Sequence, residues 1–282
     1  MLAPVAVFAY RRPDHLRSVL TALEAALLAD KTDVTIFVDG PKDETDEPKV
    51  LATVQVAKSS WRFRSVTVVA SPTNQGLARS FLQNVTAMFE SNDKLIVLED
   101  DNLPSSRFLA FMNQALEAYE EATNVISISG YAYFDAPRWR QTYFINFADT
   151  WGWGSWARAW NSFDPNPANL LEQIESRGLG KRFDFNGAMP FTTLLRQQVN
   201  GEVDSWGVSW AAHAVANRLL TLYPNRSLVE MIGLDNSGTH VGNGHPSKYL
   251  GRKATQNFAN LRKGPVRESW LFRCRLIRFF RS

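Results

Sequence analysis

The chain has 282 residues, a formal net charge of +3 and one cysteine, Cys274. Hydrophobic residues make up 45% of it and aromatic residues 12%, so it can bury a full core, which excludes a disordered protein. A single cysteine excludes an intramolecular disulfide and fits a reducing compartment. Since no segment approaches the roughly 18 apolar residues of a membrane span and the N-terminus does not resemble a signal peptide, we expect a cytoplasmic protein.

Strand and helix patterns alternate over the first 120 residues. Apolar segments predict strands over residues 4–9, 34–38, 65–70 and 95–98. Apolar residues at helical spacing follow at residues 13–23, 77–89 and 108–119. This alternation is typical of a parallel sheet with right-handed crossovers. We therefore predict an α/β fold with a mostly parallel, Rossmann-like sheet.

The pattern changes after residue 125. It predicts a strand over 125–129, a mainly helical region over 164–202, a helix over 206–220 and a polar, glycine-rich loop over 233–244. We interpret this part as an α+β elaboration of the same domain. One domain then spans residues 1–248, with halves at 1–120 and 121–248, and a basic aromatic tail occupies 249–282.

Three adjacent carboxylates follow the fourth predicted strand. Leu95 to Leu98 are branched aliphatics, as in a strand buried on both faces, and Glu99, Asp100 and Asp101 come directly after them. The acids therefore fall at the carboxyl end of the strand, where open α/β sheets bind ligands. Their mutual repulsion favours a hard cation such as Mg²⁺ or Mn²⁺ in the same place. The alternative is a solvated acidic turn.

Six motifs, in this order along residues 4–244, resemble those of the GT-A glycosyltransferases. They are similar to bacterial family 2-like transferases and, more distantly, to N-acetylglucosaminyltransferase I. The motifs are Phe8-Ala9-Tyr10-Arg11-Arg12-Pro13, Val38-Asp39-Gly40, Asn74-Gln75-Gly76-Leu77-Ala78, Leu98-Glu99-Asp100-Asp101, Trp151-Gly152-Trp153-Gly154 and Gly238-Thr239-His240. The resemblance implies a GT-A fold, a nucleotide-sugar donor, Mn²⁺ or Mg²⁺, and inversion at the anomeric carbon. The first half of the domain would bind the donor and the second half the acceptor.

The resemblance also implies roles for single residues near the donor. Asp101 would be the direct metal ligand, while Glu99 and Asp100 would support the metal or contact the ribose and the donor sugar. Asp39 would contact the base or ribose, and Arg12 the diphosphate. The remaining implied donor-binding residues are Arg11, beside Arg12, and Asn74, Gly76 and Arg79 of the nucleotide cleft. For the two arginines the alternative is a solvated basic turn.

An inverting transferase needs a base that removes the proton of the attacking hydroxyl. We assign this role to Asp204, because the resembled transferases have an acid before a tryptophan-bearing helix. An aspartate beside aromatic residues can also have its pKa raised into a useful range. The alternative is that Asp204 caps the helix that begins at Trp206, and Glu202 is then the reserve candidate.

Aromatic residues and a histidine complete the predicted site. Glycines between Trp151 and Trp153 could expose ring faces for stacking on a sugar, so we assign these two residues to the sugar pocket and Trp156 to the core. Thr239 and His240 fall where the resembled fold has a loop over the donor phosphates. His240 is a candidate metal ligand there, with a surface histidine as the alternative.

The function that we predict is a metal-dependent inverting transferase acting on a hydroxyl acceptor. UDP-sugar is the default donor, and surface polysaccharide or glycolipid synthesis would supply a carbohydrate or lipid-linked acceptor. We expect no nucleic-acid partner. A sugar-phosphate nucleotidyltransferase is the main alternative, although the first loop lacks the glycine run that cradles a triphosphate. A non-catalytic carbohydrate-binding protein would not need the three acids.

The tail allows a hypothesis that rests on its residues alone. Between Trp270 and Arg281, helical spacing places Trp270, Leu271, Cys274, Ile277 and Phe280 along one stripe and arginines along another. Such a helix can lie on an anionic membrane surface and hold the protein at the membrane periphery. The alternative is a terminal helix packed on the domain, with its arginines directed outward.

Overall fold

A computed structural model describes residues 1–137, 139–233, 253–258 and 260–282. The strands are β1 Val5–Ala9, β2 Asp33–Val38, β3 Ser65–Ala70, β4 Lys94–Glu99, β5 Asn102–Pro104, β6 Val125–Ser129, β7 Thr142–Ile145, β8 Trp153–Trp156, β9 Leu220–Pro224 and β10 Val229–Met231. The helices are α1 Pro13–Glu24, α2 Glu47–Ala57, α3 Leu77–Phe89, α4 Phe108–Ala118, α5 Ala157–Trp160, α6 Pro167–Ser176, α7 Gly180–Phe183, α8 Phe191–Val199, α9 Trp206–Ala216 and α10 Trp270–Arg281.

Eight strands form one sheet in the order β3-β2-β1-β4-β8-β6-β9-β7. The pairs from β3 to β4 are all parallel, as is the β6–β9 pair, whereas β8 is antiparallel to both of its neighbours. Strands β5 and β10 form a separate antiparallel pair. The predicted α/β fold with a mostly parallel Rossmann-like sheet is confirmed.

The central strands are apolar on both faces because each face packs against helices. In β1, Val5, Val7 and Ala9 join one core cluster, with buried residues of α1, α2 and α4. Ala6 and Phe8 point to the opposite face and join a second cluster with α3, α5 and α9. Since successive strand residues face opposite sides, a strand between two helical layers has no polar face.

Strand β8 was not predicted, and its one glycine, Gly154, allows close packing. It lies between β4 and β6 in the middle of the sheet. A Cβ atom on Gly154 would lie 3.0 Å from Met112 Cε and 3.1 Å from the Leu95 carbonyl oxygen. Glycine at this position therefore lets α4 and β4 approach β8 closely.

In the second half of the chain the predicted helical region is confirmed, and one predicted helix boundary is wrong. Helices α6, α7 and α8 occupy the region predicted to be mainly helical. Helix α9, however, ends at Ala216, and Leu220 is the first residue of β9, so the helix predicted over 206–220 is too long. Arg218 has a φ of 55°, a left-handed conformation that marks the turn between these two elements.

Helix α10 packs on the domain, which was the alternative for the tail. Its buried side chains include Phe272, Leu276 and Phe280, in a core cluster with Tyr143 and Phe185. The apolar stripe that we predicted for a membrane surface is wrong: Phe280 belongs to this core, and Trp270 and Leu271 lie on another side of the helix. No helix in the described ranges combines the length and apolar character needed to cross a membrane.

Candidate active site

The ends of β1 and β4 meet at the centre of the sheet, where β1 pairs with β2 on one side and β4 on the other. Arg12, after β1, forms ion pairs with Asp100 and Asp101, after β4. The distance from Arg12 Nη2 to Asp101 Oδ2 is 3.0 Å. The backbone N–H of Tyr10 donates to the second oxygen of Asp100, 3.3 Å away. Two strand-end motifs therefore form one charged cluster at a position typical of ligand binding in α/β sheets.

This cluster holds three carboxylates and the guanidinium of Arg12. Burial raises the pKa of Asp100 to about 6, although Arg12 opposes the shift. Burial, followed by the charges of Asp101 and Asp100, raises the pKa of Glu99 to about 8. Burial alone would lower the pKa of Arg12. The charges of Asp100 and Asp101 outweigh burial, so the pKa of Arg12 is raised. Ionised carboxylates are therefore unfavourable at this buried position, and Arg12 offsets the cost only partly.

Asp101 is held by the chain on both sides. The side-chain amide of Asn102 donates to Asp101 Oδ1 at 2.7 Å, and the N–H of Ile232 donates to its carbonyl oxygen at 3.0 Å. Pairing of β5 with β10 brings this second segment alongside. A Cβ atom on Gly233 would overlap the Asp101 carboxylate and lie 2.8 Å from Arg12 Nη1. Gly233 therefore lies so close to the charged cluster that no side chain fits at this position.

The donor set fits a hard divalent cation only when substrate completes it. Among the described residues, no three Asp, Glu, His or Cys side chains converge to hold a metal by themselves. Asp101 is partly exposed and offers carboxylate oxygens, which Mg²⁺ and Mn²⁺ accept. Mg²⁺ commonly uses one or two carboxylates together with substrate phosphates and water. Asp101 suits a site of that kind. Thr239 and the predicted ligand His240 lie outside the described residues.

The ends of β2 and β3 form a second polar cluster around Asp39. Its Oδ1 accepts the N–H of Gln75 at 2.9 Å, and its Oδ2 accepts the side-chain amide of Asn74 at 3.2 Å. The same amide donates to the Gly40 carbonyl oxygen at 2.9 Å. A Cβ on Gly40 would lie 2.6 Å from the backbone nitrogen of Thr73. Asp39 and Asn74, predicted separately, are therefore brought together.

Asp204 lies beside this second cluster, at the start of α3. Its Oδ2 accepts the N–H of Ala78 at 3.2 Å and would be 3.1 Å from a Cβ on Gly76. It therefore caps α3 and not the helix that begins at Trp206, for which the N-cap residue Ser205 makes no side-chain cap. Asp204 remains exposed. The candidate base and the predicted nucleotide loop share one edge of the cleft.

Arg11 and Arg79 are separate from the charged cluster. The guanidinium of Arg11 pairs with Asp46 at 2.5 Å, and the Tyr10 hydroxyl donates to the same carboxylate. Burial and this hydrogen bond raise the pKa of Tyr10 to about 12. Arg79 lies exposed in the first turn of α3. Of the three predicted arginines, Arg12 is the one that pairs with Asp100 and Asp101 in the described part of the chain.

The structure corrects the assignment of Trp153 to the sugar pocket and leaves Trp151 partly exposed. Trp153 is fully buried and packs against Phe81 and Trp206, with ring centroids 6.3 and 5.6 Å away, so it has no face for a sugar. Trp151 is half-buried, and its backbone N–H donates to Asp149 Oδ1 at 2.9 Å. Burial raises the pKa of Asp149. Trp156 lies in the core.

Neither a family model nor a curated protein matches this chain. Similar solved structures include S. aureus TarS, with 10% identity and a TM-score of 0.45 over 81% of this chain and 36% of that one. The TarS fragment 1–349 is 12% identical, with a TM-score of 0.44 over 81% of this chain and 60% of that one. The same fragment has also been solved with UDP-GlcNAc. The galactosyltransferase LgtC with donor and acceptor sugar analogs is 10% identical, with a TM-score of 0.39 over 78% of this chain and 72% of that one. The chain thus spans less than two thirds of the TarS structures. Similarities this low do not assign a function to this chain.

Sequence reasoning missed three residues that shape the site. Asn102 fixes Asp101, Gly233 covers it, and Asp46 holds Tyr10 and Arg11. Asn102 directly follows the acids and offered a usable signal. Gly233 and Asp46 offered none, because their contacts cross long stretches of chain.

Proposed function

We propose that the chain is a metal-dependent inverting glycosyltransferase that uses a UDP-sugar and a carbohydrate or lipid-linked hydroxyl acceptor. The observation that supports it is the joining of Arg12, Asp100 and Asp101 at the switch point of the sheet. The Asp39 cluster and Asp204 border the same sheet edge. This arrangement provides separate places for a diphosphate and a nucleoside, and Asp204 beside them as the catalytic base.

In this proposal the residues divide the work. Arg12 would face the diphosphate, Asp39 and Asn74 the nucleoside, and Asp101 would hold Mn²⁺ or Mg²⁺. The bound ion would stabilise negative charge on the departing nucleoside diphosphate. Asp204 would accept the acceptor's proton while the acceptor oxygen forms a bond to the anomeric carbon and the bond to the diphosphate breaks.

The deciding experiment is a thermal-shift and turnover screen of nucleotide-sugars with and without Mn²⁺. We expect a UDP-sugar to raise the melting temperature only when Mn²⁺ is present. Asp101→Asn should lose this shift and the turnover, because the amide keeps the shape but removes the charge. Asp93→Asn, an exposed acid just before β4, is the matched control and should behave like wild type.

Two results would contradict the proposal. Full turnover in EDTA, or an unchanged Mn²⁺-dependent shift in Asp101→Asn, would remove Asp101 as the metal ligand. Release of a nucleoside triphosphate from the nucleotide-sugar and pyrophosphate, without sugar transfer, would instead identify a nucleotidyltransferase.

A further inference from the structure

A surface cavity of about 290 Å³ lies beside the edge strand β7, far from the candidate active site. It opens between β7 and the chain leading into α10, and Arg140, Arg267 and Trp270 are part of its lining. Strand β7 is the edge strand, four positions from β4 in the sheet. At about 4.8 Å per strand this separation is roughly 19 Å, so the cavity is distinct from the cleft.

Positive charge is concentrated in the chain segment that forms one wall of this cavity. Residues 262–281 contain seven lysines and arginines and one acid, whereas residues 1–261 contain 24 and 27. The single acid, Glu268, pairs with Arg182 and Arg273 and is therefore compensated. Arg140 and Arg267 form no ion pair within the described part of the chain. The cavity thus presents net positive charge on a molecule whose remainder is negative.

The most exposed tryptophans of the described residues border the same surface. Trp270 is 76% exposed and lines the cavity, and Trp139, next to Arg140, is 73% exposed. Leu271, beside Trp270, is 52% exposed. Exposed indoles beside guanidinium groups are favourable at a membrane interface, where the ring enters the headgroup region and the cation meets lipid phosphate.

The backbone holds this surface in place. Phe144 of β7 pairs with Glu268 as an isolated bridge, and the Ser269 N–H donates to the Phe144 carbonyl oxygen at 2.9 Å. Phe272, directly after the exposed Trp270 and Leu271, is buried in the core. The exposed residues of α10 therefore lie on a helix that is fixed to β7 and to the core.

We propose that Trp139, Arg140, Arg267, Trp270 and Leu271 form a docking surface for an anionic phospholipid membrane, with a headgroup phosphate in the cavity. The volume suits a phosphate-sized group and is at the lower limit of pockets that enclose whole organic ligands. This inference does not depend on the proposed sugar transfer.

The test is sedimentation of the full chain with vesicles of neutral phosphatidylcholine, alone or with about one third anionic phosphatidylglycerol. We expect binding to the anionic vesicles only, weakening as salt is raised. Arg140→Gln with Arg267→Gln should reduce the affinity by about fivefold per arginine. Trp139→Ser with Trp270→Ser should also reduce it, whereas Leu51→Ser with Lys58→Gln, exposed residues of and just after α2, should not.

The outcomes separate the docking surface from its alternatives. The same melting temperature for all variants would show that they fold, and a normal UDP-sugar response would show that the cleft is intact. Absence of vesicle binding, or equal binding by the surface and control variants, would overturn the proposal. Binding to inorganic phosphate or single-stranded RNA, abolished by the same variants without any vesicle binding, would also overturn it.

Discussion

Asp204 combines two interactions that substitutions can separate. Its carboxylate caps α3 through the Ala78 N–H, and it is also the proposed base. Asp204→Asn keeps an oxygen for the cap but cannot accept the acceptor's proton. We expect turnover to fall by roughly 10²- to 10⁴-fold with donor binding and melting temperature preserved. Asp204→Ala should lose the cap as well, at about 1 kcal/mol of stability.

The control for this prediction is Glu202→Gln, which changes the exposed reserve acid two residues away. It should keep wild-type turnover. A large loss of turnover in Glu202→Gln, with Asp204→Asn fully active, would transfer the role of base to Glu202. If Asp204→Asn melts as early as Asp204→Ala and loses turnover in parallel, Asp204 acts through the helix cap.

At the scale of residues, sequence reasoning succeeded where chemistry follows directly from position. Asp100, Asp101 and Arg12 each lie at a strand end, so their convergence follows from a parallel sheet. It failed for Trp153, since a tryptophan between glycines looks the same whether the glycines expose its ring or admit a neighbouring helix. The packing of Phe81 and Trp206 on its ring decides the outcome, and both residues are distant in the sequence.

The element that most clearly shows such packing is β8. A Cβ on Gly154 would meet Met112 and Leu116 of α4 and the Leu95 carbonyl of β4, all within 3.3 Å. The Leu95 contact is with backbone, which cannot move away without disturbing the central β4. We therefore expect Gly154→Ala to lower the free energy of unfolding by about 1–3 kcal/mol.

Chemical denaturation of Gly154→Ala alongside Gly180→Ala would test this. In α7, a Cβ on Gly180 lies 3.7 Å from its nearest neighbour, Thr192 Oγ1, which is an ordinary contact. That variant should stay within about 0.5 kcal/mol of wild type. Equal stability of the two variants would show that the close approach of α4 does not require glycine.

Sequence patterns predicted β1, β2 and β4 because long aliphatic runs suit strands covered by helices on both sides. Strand β8 escaped detection because Trp-Gly-Ser-Trp lacks such a run. The face of α10 was also misassigned, since Trp270 to Phe280 carries apolar residues on nearly every side. Which of them is buried depends on the distant Tyr143 and Phe185, and helical spacing does not contain that information.

At the scale of the whole molecule, α10 packs on the second half of the domain, residues 121–248. Glu268 pairs with Arg182 and Arg273, and its Oε1 accepts the N–H of Asn146 at 3.1 Å. Asn146 in turn donates to the carbonyl oxygens of Ala214 and Leu219, at the end of α9 and just before β9. The last helix therefore closes a network that also fixes the middle of the chain.

Removal of residues 269–282 should consequently destabilise the whole domain. It would uncover the pocket filled by Phe272, Leu276 and Phe280, whose burial contributes roughly 1.5–3 kcal/mol each. Their sum is comparable with the total stability of an ordinary domain, about 5–15 kcal/mol. We expect the truncated chain to lose its cooperative thermal transition, measured by circular dichroism. Trp270→Ser is the control, because it removes an exposed ring from the same helix and should melt like wild type. A truncated chain that melts cooperatively and still responds to a UDP-sugar would show that α10 is dispensable for folding and that the network around Glu268 is sufficient without it.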